Sequence, residues 1–148
     1  MVTARKILVA HDFSEPSNRA LRFAATLAKE TAAQVEIVHV MPDLFDGRGD
    51  VTLAVPPTAP GQGERYMRFL QEELERAVQQ ALPELAGKLA CHALRGDPVT
   101  RIEALAKEIG ADIVCLGATG KGAVARVLLG SISQRVLRTS TLPVLIVP

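Results

Sequence analysis

A chain of 148 residues, 48% of them hydrophobic, is long enough to close one core, and with 3% aromatics and no Trp that core must be aliphatic. Seventeen basic residues face sixteen acidic ones, for a net charge of +1, and no basic run stands out, which argues against nucleic acid as the main partner. The apolar run after Lys6 is only Ile7-Leu8-Val9-Ala10, and Ala123–Leu129 is broken by Arg126; neither a secretory leader nor a membrane span is readable, so a cytoplasmic location away from membranes is expected.

Along the chain, short apolar runs alternate with helical periods. Lys6–Ala10 reads as a buried strand. Ser14 then suits a helix cap and Pro16 a first turn, and Leu21, Ala24, Ala25 and Ala28 recur at helical spacing to about Thr31. Gln34–Val40 is a second strand, rich in β-branched residues. Pro42 to Gly63 is rich in Gly and Pro and is longer than an ordinary connection, which suggests a functional flap or disorder. Glu64–Leu82 predicts an amphipathic helix with Tyr66, Phe69, Leu70, Leu74, Ala77, Val78 and Ala81 on one face. Leu89–Leu94 is a third strand. Gly96-Asp97-Pro98 reads as turn, cap and first helical residue, and Val99, Ile102, Ala106 and Ile109 give the next helix its stripe up to Gly110. Ala111–Leu116 is a fourth strand ending at Gly117. A helix over about Ser131–Thr139 leads into a fifth strand, Val144–Val147. Cys91 and Cys115 share no metal spacing and read as buried thiols.

No linker divides the chain and no repeat appears, so residues 1–148 are expected to form one domain. The alternation predicts an α/β, doubly wound fold: a parallel sheet with helices on both faces. Nearly all-apolar strands agree, because parallel strands are buried on both sides. A ligand then binds beyond the carboxyl ends of the strands, where strand order reverses. The residues leave that order open. If the first and fourth strands are neighbours, giving 3-2-1-4-5, the reversal lies between Ala10–Asp12 and Gly117–Gly120.

The segment Gly117-Ala118-Thr119-Gly120-Lys121 through Gly130-Ser131-Ile132-Ser133 carries the chemistry, with the skeleton G-x2-G-x9-G-S. Gly117 and Gly120 are expected to let the backbone turn and approach a ligand. Gly130-Ser131 opens a helix whose unpaired N–H groups and positive dipole end suit an anion, with Ser131 and Ser133 as added hydroxyl donors. The reading is a phosphate cradle. Lys121 and Arg126 are either counter-charges to phosphate or solvated loop charges.

Over its whole length the sequence resembles the universal stress protein family. The resemblance rests on Lys6-Ile-Leu-Val-Ala-His-Asp12-Phe-Ser, on His39-Val40 and on Gly96-Asp-Pro98. It rests also on the glycine skeleton and on Leu142-Pro143-Val144-Leu-Ile-Val-Pro148. The skeleton is similar to that of the family's ATP-binding branch. The resemblance implies the five-stranded parallel sheet and an ATP ligand, with any Mg²⁺ held chiefly by phosphates. It implies an adenine-nucleotide site at Ala10, His11 and Asp12, where Asp12 contacts the nucleoside. Val40 would flank the adenine. Gly117, Gly120, Gly130, Ser131 and Ser133 would hold ribose and phosphates, beside Ala118, Thr119, Lys121 and Ile132. Ala118 and Thr119 replace the Ser, Arg or His residues often found between the first two glycines of the family. A homodimer through Val144–Val147 is also implied.

Competing readings are weaker. Gly120-Lys-Gly122-Ala-Val-Ala125 fits a dinucleotide fingerprint, but no acidic residue follows it; in the P-loop pattern Gly122 stands where Ser or Thr belongs. His11 and His39 suggest a metal or catalytic pair, but no third ligand is spaced for it, and His92 has no partner in sequence. A phosphorelay receiver needs paired acids after the first strand and an Asp after the third; here Asp12 stands alone and Leu94-Arg95-Gly96 follows the third strand. The expected function is a nucleotide-binding regulator and not an enzyme, or at most a weak ATPase.

Overall fold

The computed structural model describes residues 4–42, 61–119 and 129–148. Five strands and four helices alternate: β1 (Lys6–Ala10), α1 (Glu15–Thr31), β2 (Gln34–Met41), α2 (Gln62–Ala81), β3 (Ala90–Arg95), α3 (Pro98–Ile109), β4 (Ile113–Gly117), α4 (Ser131–Thr139) and β5 (Val144–Val147). A 3₁₀ turn at Pro83–Leu85 follows α2. All neighbouring strands are parallel, in the order β3-β2-β1-β4-β5. The expected fold class and strand order are therefore the observed ones.

Side chains alternate across each strand, so strand parity assigns every apolar residue to one of two cores. Ile7, Val9, Val35, Ile37 and Cys115 face α1 and α2. Leu8, Val38, Val114 and Leu116 face α3 and α4. Burying each large aliphatic side chain is worth about 1.5–3 kcal/mol. The sheet thus carries a helix pair on each face.

Local signals explain the helix ends. The Ser14 hydroxyl accepts from the Ser17 amide at the start of α1. The Asp97 carboxylate accepts from the Thr100 amide at the start of α3, with Pro98 just inside and left-handed Gly110 (φ 67°) at the close. β4 starts at Ile113 and not at the expected Ala111, because Ala111 is still taken up in closing α3 while Asp112 leads into the strand beside Lys6. The Ala111 amide closes α3 on the Ala106 carbonyl, and Asp112 Oδ2 accepts from the Arg5 and Lys6 amides. The apolar face expected of α2 is narrower in the fold. Leu70, Leu74 and Val78 are buried, but Tyr66 and Phe69 stack on each other while 44% and 52% exposed. From residue 43 to residue 60, the expected flap lies outside the described residues.

Candidate functional site

From β1 the chain crosses over one face of the sheet to β2, and from β4 it leads by way of α4 to β5, in the opposite direction. The connections after these adjacent strands part and leave a crevice at the carboxyl ends. The crevice has a volume of about 470 Å³, within the ~300–1,000 Å³ of small-molecule sites. It opens on the α3/α4 side of the sheet.

Three walls converge there. Ala10, His11 and Asp12 form the end of β1. Val38, His39 and Val40 form the end of β2. Opposite them stand Gly117 and Thr119 after β4, and Gly130, Ser131, Ile132 and Ser133 at the start of α4. The structure thus brings together ten of the residues expected from the sequence. Ala118 is absent from the lining, because its backbone is spent on the fold. Its amide donates to the Val147 carbonyl at 2.7 Å, and its carbonyl accepts from the Gly130 amide at 2.8 Å. Gly120, Lys121 and Arg126 lie outside the described residues.

Several side chains serve the site through fixed hydrogen bonds. Asp12 Oδ1 accepts from the Ser14 amide at 3.0 Å and from the Ser14 hydroxyl, so the carboxylate is oriented by the start of α1. His11 is buried. Its Nδ1 accepts from the Phe13 amide at 3.1 Å, which leaves Nε2–H to donate to Asn18 Oδ1 at 2.8 Å. The His11 carbonyl accepts from His39 Nδ1 at 2.8 Å. Phe13, at φ 64°, adopts the left-handed conformation that is costly for a residue with a Cβ, and its ring packs on both histidines. Both histidines are structural in this sense. His92, without a visible partner in sequence, meets Glu36 Oε2 at 2.7 Å on the adjacent strand.

At Gly117 the fold itself leaves no room for a side chain, because α1 abuts it: a Cβ there would lie 2.7 Å from the Pro16 carbonyl carbon. The cap of α4 is Gly130, with Ser131 the first helical residue. Having no side chain, Gly130 satisfies none of the leading N–H groups of α4, which line the crevice. Ser131 is exposed, whereas Ser133 is buried and donates its hydroxyl proton to the Gly117 carbonyl at 2.8 Å. Ser133 ties β4 to α4 and offers the crevice only its backbone N–H and its lone pairs.

Ser17, Val38, Ile102 and Leu116 also line the crevice without having been singled out from the sequence, and so do His39 and Pro98, which the sequence marked without assigning them to the ligand site. Pro98 carried a signal: a helix that starts just after a strand in such a sheet starts at its carboxyl edge. Val38, Ile102 and Leu116 carried none, since an aliphatic residue under a ligand looks like any core residue. Among the described residues, no group of three His, Cys, Asp or Glu side chains is placed to hold a metal.

The universal stress protein family model matches residues 3–148. Universal stress protein MJ0531 of Methanocaldococcus jannaschii is 33% identical over 146 residues, covering 97% of this chain and 81% of its own length. The solved structure of MJ0577 from the same organism superposes with a TM-score of 0.70 at 27% identity, over 99% of this chain and 96% of that one. A universal stress protein solved in complex with cAMP superposes with a TM-score of 0.63 at 27% identity, over 99% and 98%.

Proposed function

We propose that this chain, which belongs to the universal stress protein family, acts in the cytoplasm as an ATP-binding or other adenine-nucleotide-binding regulator of the stress response. The carrying observation is the crevice at the β1/β4 divergence, where the oriented Asp12 carboxylate faces the uncapped amino end of α4. An acidic acceptor suits ribose hydroxyls or an adenine amino group, and leading helical amides suit phosphate oxygens. Val38, Val40 and Ile102 supply apolar contact for a base. The complex of a related structure with cAMP favours the same ligand class.

Binding, not turnover, is the proposed activity. The crevice groups traced above are engaged with the fold itself, His11 with Asn18, His39 with the His11 carbonyl and Ser133 with the Gly117 carbonyl. This suits a site that grips and reports a ligand. Titration calorimetry with Mg·ATP, ADP, AMP and cAMP tests the reading. Asp12→Ala is expected to weaken binding by about ten- to a hundredfold, the worth of a hydrogen bond to a charged group. No heat with any of the four at millimolar concentration would overturn it. Phosphate release well above the uncatalysed rate, abolished by Asp12→Ala, would favour the ATPase reading.

We also infer a homodimer through β5. This strand ends the sheet, Val144–Val147 are partly exposed, and Phe23 and Leu137 are 50% and 51% exposed on helices from the two faces. A bare apolar edge invites strand pairing, and a two-fold axis closes it. Sedimentation as monomer only at micromolar concentration would contradict the dimer.

A further inference from the structure

The two edges of the sheet are finished differently. On β3, the Cys91 carbonyl accepts from Gln71 Nε2 at 2.7 Å, and the Ala93 amide donates to Gln71 Oε1 at 2.8 Å. In a parallel ladder, one residue of a neighbouring strand donates to the carbonyl before its opposite number and accepts from the amide after it. Gln71 does both with one carboxamide, spanning His92. Its Nε2 also donates to Glu75 Oε1 at 2.8 Å, one turn along α2, which orients the amide. Packing of α2 along β3 holds this side chain in place.

At β5 nothing comparable occurs. Among the described residues, no side chain hydrogen bonds to the backbone of Val144–Val147; Arg19 Nε meets the Pro148 carbonyl at 2.8 Å, one residue past the strand.

We propose that Gln71 is an edge guard. Its carboxamide occupies the strand-pairing positions of β3 and confines sheet-to-sheet association with a second copy of this chain to the β5 edge. The confinement to β5 rests on the dimer inferred above; the closure of β3 does not. With both edges open, each copy would present a pairing strand at either end of its sheet. Pairing at the two opposite edges of one sheet extends that sheet from copy to copy, so it builds open-ended chains.

Gln71→Met tests this, since it keeps length and helix propensity while deleting both bonds. The readouts are hydrogen exchange at the Ala93 amide and sedimentation over a concentration series. The amide is expected to exchange about five- to tenfold faster, in line with one lost hydrogen bond. The variant is expected to form species larger than any the unaltered chain forms, growing with concentration. Unchanged Ala93 exchange, or sedimentation identical to the unaltered chain throughout, would overturn the proposal. Gln71→Ala carries the same readouts if the Met variant does not fold. If the unaltered chain is only monomeric, the β5 dimer fails by itself. The guard then stands if the variant associates and falls if it does not.

Discussion

The Asp97 carboxylate and the Arg135 guanidinium meet in two parallel hydrogen bonds of 3.0 and 3.1 Å, joining the start of α3 to the second turn of α4 beside the crevice. Arg135, and after it the Thr100 amide, hold the Asp97 carboxyl down to about 2. A depressed carboxyl contributes stability above its unfolded value near 4 and loses it as pH falls toward 2. Arg135→Ala is expected to move the Asp97 titration upward by NMR. It should cost less than about 1 kcal/mol, since the pair is partly solvated. An unmoved titration would show that Arg135 is not the cause.

Gly117→Ala is expected to destabilise the protein by about 1–3 kcal/mol, the usual penalty for overpacking. The new methyl would meet the Pro16 backbone, which has no flexible end to yield. Because Pro16 lies in the first turn of α1, just after Asp12 and Ser14, nucleotide affinity should fall as well. Denaturant midpoints and calorimetry on the same variant check both effects.

The two serines of α4 separate structure from binding. Ser133→Ala removes a buried hydrogen bond to Gly117 and should cost about 1 kcal/mol of stability. Ser131→Ala, at an exposed first helical position, should leave the unfolding midpoint unchanged and weaken nucleotide binding. Equal effects of the two on stability would contradict this division.

Ala32 ends α1 in the left-handed conformation, at φ 57°. Ala32→Gly relieves the Cβ clash, worth about 1–2 kcal/mol, against about 0.4–1 kcal/mol of added unfolded-chain freedom. The difference is a net gain of up to about 1.6 kcal/mol, read as a higher denaturation midpoint.

Burial pushes the Cys115 thiol up to about 12, and burial followed by the Glu75 charge pushes Cys91 to about 11. Both should stay protonated, and slow toward a disulfide reagent, in the native protein at pH 8, and react promptly once it is unfolded. The folded chain keeps protons that the unfolded chain releases, so stability should decline as pH rises above about 9. Cys91 is only partly buried, against the expectation of two buried thiols, so fast labelling of Cys115 in the native protein is the result that would contradict its burial.

Much of this was readable from local chemistry. Lys6–Ala10 and Val144–Val147 are apolar runs with sharp polar or proline borders, and both strands fall where those borders put them. Ser14 and Asp97 cap the helices that their position announced. Strand order needed the pairing of Val9 with Cys115, a long-range fact that no local pattern encodes. The exposure of Tyr66 and Phe69 shows the limit of periodicity, which defines a helical face but not how far the sheet beneath it reaches. At Gly117 the sequence suggested room for a ligand but could not show that α1 also needs the space, since a missing Cβ can make room for protein as well as for ligand.

The Gly130 amide and the Ala118 carbonyl meet at 2.8 Å, so the chain leaves β4 and returns to α4 through one narrow neck. That bond clamps the two ends of the connection on each other, so the first turn of α4 stays seated beside the end of β4.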